Sequence, residues 1–124
     1  MLIGYARVSK ADGSQLLDLQ VDALREAGIA SDRIYEDRMS GRHDHRPGLD
    51  ACLKALREGD TLCVWKLDRL GRNLRNLVSL VDTLQGRGVG LRVLTGQGSA
   101  IDTTRADGRL IFAVFAALAE FERG

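Results

Sequence analysis

The chain has 124 residues, of which 44% are hydrophobic and 28% charged, a size and balance that predict one folded domain with a single core. Its formal net charge is only +1, so any nucleic-acid binding must depend on arginines gathered in one place. The longest apolar run, from Leu110 to Ala119, is about half the roughly 20 residues that a spanning helix needs, which argues against a membrane protein.

Cysteine usage and the N-terminus favour a cytoplasmic protein. Cys52 and Cys63 each lie among apolar residues and form no Cys-x-x-Cys pair, so both are expected to be buried, reduced thiols. The stretch from Met1 to Arg7 has no charged segment before its apolar residues and is too short for a signal sequence. Neither Cys/His spacing nor an acidic cluster predicts a metal site, and no motif indicates a cofactor.

Candidate strands and helices alternate along the chain. Apolar runs predict strands at 2–8, 33–37, 61–65 and 90–95, and helical periodicity predicts helices at 14–27, 47–57 and 73–86. Gly28 is expected to end the first helix, and Pro47 fits the first turn of the second. This order predicts a single three-layer α/β domain, in which helices flank a central, largely parallel sheet of four to five strands.

The last part of the chain predicts a long helix that follows the domain. Residues 1–102 are assigned to the α/β domain and 103–124 to the start of this helix, which is apolar on nearly every side. Such a helix can bury one face against the sheet and needs a partner for its other faces, so self-association is predicted. The alternative is that it forms a core helix inside a larger fold. Because Glu120 to Arg123 still favours a helix, the chain is either a piece of a longer protein or ends at a capping Gly124. The residues expected at the interface are Leu110, Phe112, Val114, Phe115, Leu118 and Phe121.

An arginine and a serine close the first predicted strand. Arg7 and Ser9 are two residues apart, so the alternation of a strand directs both side chains to one face. A hydroxyl beside a guanidinium suits attack on a phosphate, because the arginine can hold the phosphate charge. Ligands of parallel sheets bind at the carboxyl ends of the strands, and the segment 66–72 follows another such end. The two segments are therefore expected to converge on one site.

The segment 66–72 carries two more arginines. If the chain is helical from Asp68, Arg69 and Arg72 share a face, and Asp68 can reach Arg72 one turn later. Two guanidiniums on one face can clamp the oxygens of a phosphate. Taken alone, the segment also fits a solvated helix start with charge pairs. Joined with Arg7 and Ser9, it favours a phosphate site.

Residues 39–46 are polar, without hydrophobic periodicity, and predict a mobile loop. The loop contains both histidines of the chain, His43 and His45, either of which could act as a general base for the serine. Activation of the serine by nearby arginine charge is the favoured hypothesis.

Several separated motifs, in the same order along the chain, resemble the catalytic domain of the serine recombinases, the resolvase and DNA-invertase family. These motifs are Tyr5-Ala6-Arg7-Val8-Ser9, Leu17-Asp18-Leu19-Gln20, Ser40-Gly41 with Arg46-Pro47-Gly48-Leu49, Gly59-Asp60-Thr61 with the segment from Trp65 to Arg72, and Ala117 to Arg123. The resemblance covers essentially the whole chain.

The resemblance implies site-specific DNA recombination through a serine nucleophile. Ser9 would attack a DNA phosphodiester to give a 5′-phosphoserine and a free 3′-hydroxyl. A cage of arginines would replace a metal around the phosphate, and the matching residues are Arg7, Arg46, Arg69 and Arg72. Asp68 would orient the arginines or protonate the leaving oxygen, and Gln20 would contact the serine or the phosphate. A short insertion between Ser9 and Gln20 departs from the usual pattern and leaves the equivalence of Gln15 open.

The resemblance also implies partners. The expected substrate is double-stranded DNA, bound by a homodimer at each site and by a tetramer during exchange, in a bacterial, nucleoid-associated setting. Lys66, Arg42 and Arg105 are expected to contact DNA, and the helix at 105–123 to form the interface. A helix-turn-helix domain follows this helix in family members; none is expected within these 124 residues, so weak and unselective DNA binding is expected.

Two rival functions differ in class. A catalytically inactive assembly module would have lost Ser9 or the arginines, and the chain keeps them. A phosphatase acting on small molecules would need a closed pocket with a general acid, whereas the arginines and the loop at 39–46 suit a long substrate.

Overall fold

The computed structural model describes residues 1–9, 13–39, 47–66, 70 and 74–94. Within these ranges the strands are β1 (Leu2–Ser9), β2 (Ile34–Met39), β3 (Thr61–Val64) and β4 (Gly90–Val93). The α-helices are α1 (Gly13–Glu26), α2 (Pro47–Ala55) and α3 (Leu74–Gly86), and a short 3-10 helix at Ser31–Arg33 leads into β2. No helix in the described part of the chain is long and apolar enough to cross a membrane.

The four strands form one parallel sheet in the order β2-β1-β3-β4. β1 lies inside the sheet and is its longest strand. It pairs with β3 only as far as Tyr5 opposite Val64. On its other side it pairs with β2 to its end, where Ser9 lies opposite Met39.

Apolar side chains from the two faces of the sheet form two clusters. On one face, Ala6 and Val8 pack with Leu17 and Leu24 of α1. On the other face, Ile3 and Tyr5 belong to a larger cluster with residues of α2 and α3. Helices therefore cover both faces at β3, where Leu62, Cys63 and Val64 are all buried. The edge strand β4 alternates instead, with Leu91 and Val93 buried and Arg92 exposed.

The predicted three-layer α/β class and parallel sheet are confirmed. Gly28 follows α1 with a φ of 100°, a left-handed conformation that glycine adopts without a Cβ penalty, as expected for its predicted role in ending the helix. Several predicted ends were off by one or two residues, and the clearest case is Met39: it was predicted to open the loop but is the last residue of β2, because it pairs with the end of β1. The rest of the loop, 40–46, and the helix predicted after 102 lie outside the described residues.

Candidate active site

The carboxyl end of β1 carries the Arg7 and Ser9 of the predicted site. Ser9 is the last residue of the strand, and Arg7 is half-buried two residues earlier. Arg7 lies opposite Asp37 of β2. Because β3 ends opposite Tyr5, the end of β1 has a strand neighbour on one side only.

Gln20 of α1 holds the main chain at Arg7. Its Oε1 accepts a hydrogen bond from the Arg7 N–H at 3.1 Å, and its Nε2 donates to the Arg7 carbonyl oxygen at 3.0 Å. Nε2 also lies 3.4 Å from the carbonyl oxygen of Leu16, one turn earlier. The Gln20 side chain is fully buried. Its amide bonds the main chain of β1 as a neighbouring strand would, beyond the residue at which β3 stops pairing with β1.

Asp37 joins β1, β2 and α2. Its Oδ2 accepts hydrogen bonds from the Tyr5 hydroxyl at 2.7 Å and from the Leu49 N–H at 2.9 Å. Its Oδ1 accepts one from the Gly48 N–H at 2.7 Å. Asp37 is 5% exposed, and these three donors compensate the cost of burying its carboxylate. The first turn of α2 is thus capped by a residue of β2.

Gly48 allows α2 to approach β2 closely. A Cβ at this position would lie 2.3 Å from the Glu36 carbonyl oxygen and 2.9 Å from Asp37 Oδ1. Because Gly48 has no Cβ, the start of α2 can lie against β2, close enough for its amides to bond Asp37.

Cys52, on α2, is not a nucleophile of this site. Burial of its thiol, together with the nearby negative charge of Asp37, raises the pKa of Cys52 to about 12. The group is therefore a neutral thiol at neutral pH.

Two residues that follow β3 lie beside the carboxyl end of the sheet, where β1 carries Arg7 and Ser9. Trp65 and Lys66 are both half-buried, and the Lys66 Nζ lies 4.6 Å from the centroid of the Trp65 ring, in a cation–π contact. Farther along, Leu70 is fully buried in the cluster that contains Tyr5 and Val64.

Of the predicted site residues, the structure describes the side chains of Arg7, Gln20 and Lys66 and the backbone of Ser9. It brings Gln20 to Arg7. The other predictions lie outside the described residues: Arg42, Arg46, Asp68, Arg69, Arg72, Arg105, the histidines His43 and His45, and the interface residues Leu110, Phe112, Val114, Phe115, Leu118 and Phe121.

Sequence reasoning missed the role of Asp37 and of the Tyr5 hydroxyl. One signal could have indicated Asp37: Pro47 begins a helix directly after Arg46, which is not a residue that caps helix N–H groups. A helix start without a local cap needs an acceptor from elsewhere in the fold. Which acceptor it finds depends on tertiary packing.

The chain is similar to known proteins along nearly its whole length. The family described as "Resolvase, N terminal domain" matches residues 2–124. Serine recombinase gin of Escherichia phage Mu is 53% identical over 123 residues, which cover 99% of this chain and 60% of that protein. DNA-invertase hin of Salmonella typhimurium is 53% identical over 121 residues, covering 98% of this chain and 60% of that protein. The crystal structure of the N-terminal catalytic domain of TP901-1 integrase superposes with a TM-score of 0.76 at 30% identity, covering 98% of this chain and 95% of that chain.

The chain belongs to the resolvase and DNA-invertase family of serine recombinases. It spans about 60% of the length of the two relatives, gin and hin. The resemblance drawn from the motifs is confirmed.

Proposed function

We propose that this chain is the catalytic domain of a site-specific DNA recombinase, a resolvase or invertase, and that Ser9 is its nucleophile. The observation that carries the proposal is the position of Arg7 and Ser9 at the carboxyl end of β1, inside a parallel sheet. Ligands of such sheets bind at this end of the strands.

In the proposed reaction the Ser9 Oγ attacks a phosphorus of the DNA backbone, and the bond from phosphorus to the 3′ oxygen breaks. The serine loses its hydroxyl proton, the 3′ oxygen gains a proton, and a 5′-phosphoserine and a free 3′-hydroxyl result. After strand exchange a 3′-hydroxyl attacks the phosphoserine and restores the serine. One ester replaces another in each step, so the main demand on the protein is to stabilise the phosphate charge in the transition state.

Arginine side chains are the proposed stabilisers of that charge, in the role that a metal has in other phosphoryl-transfer enzymes. The first-turn amides of α2 are already bonded to Asp37 and so are not free to bind a phosphate. The buried Leu70 supports the inclusion of Arg69, its neighbour in sequence, because it ties that part of the chain to the core. The proposed set is Arg7, Arg46, Arg69 and Arg72, with Asp68 orienting them or protonating the leaving oxygen.

Gln20 is proposed to position the strand instead of contacting the phosphate. Both ends of its amide are used on the main chain of Arg7, and the side chain is fully buried. It would keep the end of β1 extended where no β3 partner continues the sheet.

The proposed substrate is double-stranded DNA inside a bacterial cell. Lys66 is proposed to bind the DNA backbone, leaving its position on the Trp65 ring, and Arg42 and Arg105 to add contacts. A homodimer at each site and a tetramer during exchange are proposed, with the helix at 103–124 as the interface.

The test is a covalent DNA adduct that depends on Ser9. The full chain is joined to a DNA-reading domain and incubated with DNA that carries paired sites, with a nick in each site so that cleaved strands cannot rejoin. A denaturing gel should show a protein–DNA adduct for the parent and none for Ser9→Ala.

The matched control is Ser79→Ala, which removes the hydroxyl of an exposed serine on α3. It should form the adduct as the parent does. An adduct that persists in Ser9→Ala, or no adduct from the parent under conditions that pair the sites, would overturn the proposed mechanism.

A further inference from the structure

Arg38 is an exposed arginine on β2, beside the end of β1. The register of the sheet places it opposite Val8, and the next pair along the two strands is Ser9 and Met39. Neighbouring strands lie about 5 Å apart, so the main chain of Arg38 is held at that distance from Val8. The sheet itself therefore fixes where Arg38 lies relative to Ser9.

The Arg38 side chain forms no hydrogen bond or ion pair with any residue that the structure describes. Glu36, two residues earlier, shares its face of β2 and is also exposed. Exposed charges on an edge strand can serve only to prevent pairing with another chain. Charge alone thus does not make Arg38 a binding residue, and its position in the sheet has to decide.

The other exposed arginines of the described residues lie away from the carboxyl end of the sheet. Arg92, on the other edge strand, pairs with Cys63 and so is level with Gly4 of β1, in the first half of that strand. Three lie at or just after the C-terminal ends of helices, close to the amino ends of the strands: Arg25, Arg57 and Arg87. Within this part of the chain, Arg38 is the exposed arginine that lies beside Ser9.

Arg38, Arg7 and Lys66 form a row of positive charges across the carboxyl end of the sheet. They lie at the ends of β2, β1 and β3, which are neighbours in that order. The row spans two strand spacings, about 10 Å. Three successive phosphates of one DNA strand rise about 7 Å along the helix axis, a similar length. A DNA strand that crosses the strand ends can therefore bring one phosphate to Ser9 and the two flanking phosphates to Arg38 and Lys66.

We propose that Arg38 binds the phosphate next to the one that Ser9 attacks, and that Lys66 binds the phosphate on the opposite side. This inference rests on the proposed function, because it takes DNA as the substrate, and it adds the direction in which the cut strand crosses the sheet. An arginine suits such a contact, since its guanidinium can bind two oxygens of one phosphate. Arg38 does not touch the reacting atoms and acts in binding alone.

The first test measures DNA binding by the full chain joined to a DNA-reading domain, with Ser9→Ala in all proteins so that the DNA stays uncut. Arg38→Gln should raise the dissociation constant about tenfold at low salt, the usual effect of losing a hydrogen bond to a charged group. It should also lower the slope of log affinity against log salt by about one, because one phosphate contact is lost. Arg38→Lys keeps the charge and should keep the slope.

The matched control is Arg92→Gln, which removes an exposed arginine from the other edge strand. It should leave the dissociation constant within about twofold and the salt slope unchanged. If Arg38→Gln and Arg92→Gln give the same affinity and the same slope, the proposed role of Arg38 is wrong.

A second test identifies the phosphate. The phosphates around the cut site are replaced one at a time by an uncharged methylphosphonate. Replacing the flanking phosphate on one side should weaken binding about tenfold with Arg38 present, and at most about twofold further in Arg38→Gln. Lys66→Ala should lose its sensitivity to the replacement on the opposite side. Coupling of both residues to the same side, or an undiminished effect of every replacement in Arg38→Gln, contradicts the proposed path.

The inference and the proposed function can fail separately. A Ser9-dependent adduct, together with no coupling of Arg38 to a flanking phosphate, would overturn the inference and leave the nucleophile standing. Coupling of Arg38 to one phosphate in a parent that forms no adduct would overturn the proposed nucleophile and leave the phosphate contact standing.

Discussion

Gln20 shows most directly how one side chain stabilises the candidate site. Replacing it in Gln20→Leu keeps a buried residue of similar size but leaves the Arg7 N–H and carbonyl oxygen without the two bonds that the amide supplies. Unmade hydrogen bonds of buried groups cost about 1–3 kcal/mol each, so we expect the free energy of unfolding to fall by about 2 kcal/mol or more. Urea-induced unfolding followed by circular dichroism measures it.

The control for this prediction is Gln15→Ala on the same helix. Gln15 is exposed, so its removal should change the free energy of unfolding by no more than about 0.5 kcal/mol. Equal losses in the two variants would mean that the Gln20 bonds add nothing beyond the presence of a glutamine on α1.

For single residues, the sequence predicted which positions belong to the site, but it was a poorer guide to the role of each side chain. The motif containing Gln20 drew attention to that residue, and the structure gives its amide a backbone partner. No sequence pattern distinguishes a glutamine that faces a substrate from one that replaces a strand neighbour. Asp37 was missed for a similar reason, since its three donors come from residues 11, 12 and 32 positions away and meet only in the fold.

The contact of α2 with β2 leads to a prediction about two glycines. In Gly48→Ala the new Cβ would lie 2.3 Å from the Glu36 carbonyl oxygen, an atom of the main chain that cannot rotate away. The helix start must then move and weaken its bonds to Asp37, so we expect a loss of about 2 kcal/mol or more in the free energy of unfolding.

Gly86→Ala provides the matched comparison. Gly86 ends α3, and nothing lies within 4 Å of a Cβ built there. Alanine favours helices over glycine by about 1 kcal/mol, so this variant should be as stable as the parent or more stable. If urea unfolding gives the same free energy for both variants, the close approach of α2 to β2 does not limit stability.

Elements were predictable where local pattern and packing agree. The alternation of apolar runs and helical periodicity predicted all four strands and all three α-helices of the described residues, because the inner strands β1 and β3 are covered on both faces and each of these helices packs against the sheet. Element ends depend on pairing between distant strands, which is why the end of β2 was wrong.

For the whole molecule, the open prediction is self-association through the apolar run at 110–119. A fully apolar helix gains most when all of its faces are buried, and the sheet can cover only one of them. Phe115→Glu puts a charge into this run, and we expect it to raise the dissociation constant of any dimer at least tenfold. Sedimentation equilibrium over a range of concentrations measures this constant.

The described surface offers one competing site of contact. Leu19 on α1 is 58% exposed, whereas the other large apolar side chains that the structure describes, apart from Met1, are buried or half-buried. Single exposed leucines are common and need no partner, so Leu19→Glu should leave the dissociation constant unchanged. If Leu19→Glu weakens association and Phe115→Glu does not, the dimer forms through α1. The reaction proposed for Ser9 needs DNA strands to be cut and exchanged between subunits. Measuring adduct formation by Leu19→Glu and Phe115→Glu therefore shows whether the surface that joins the subunits also controls cleavage.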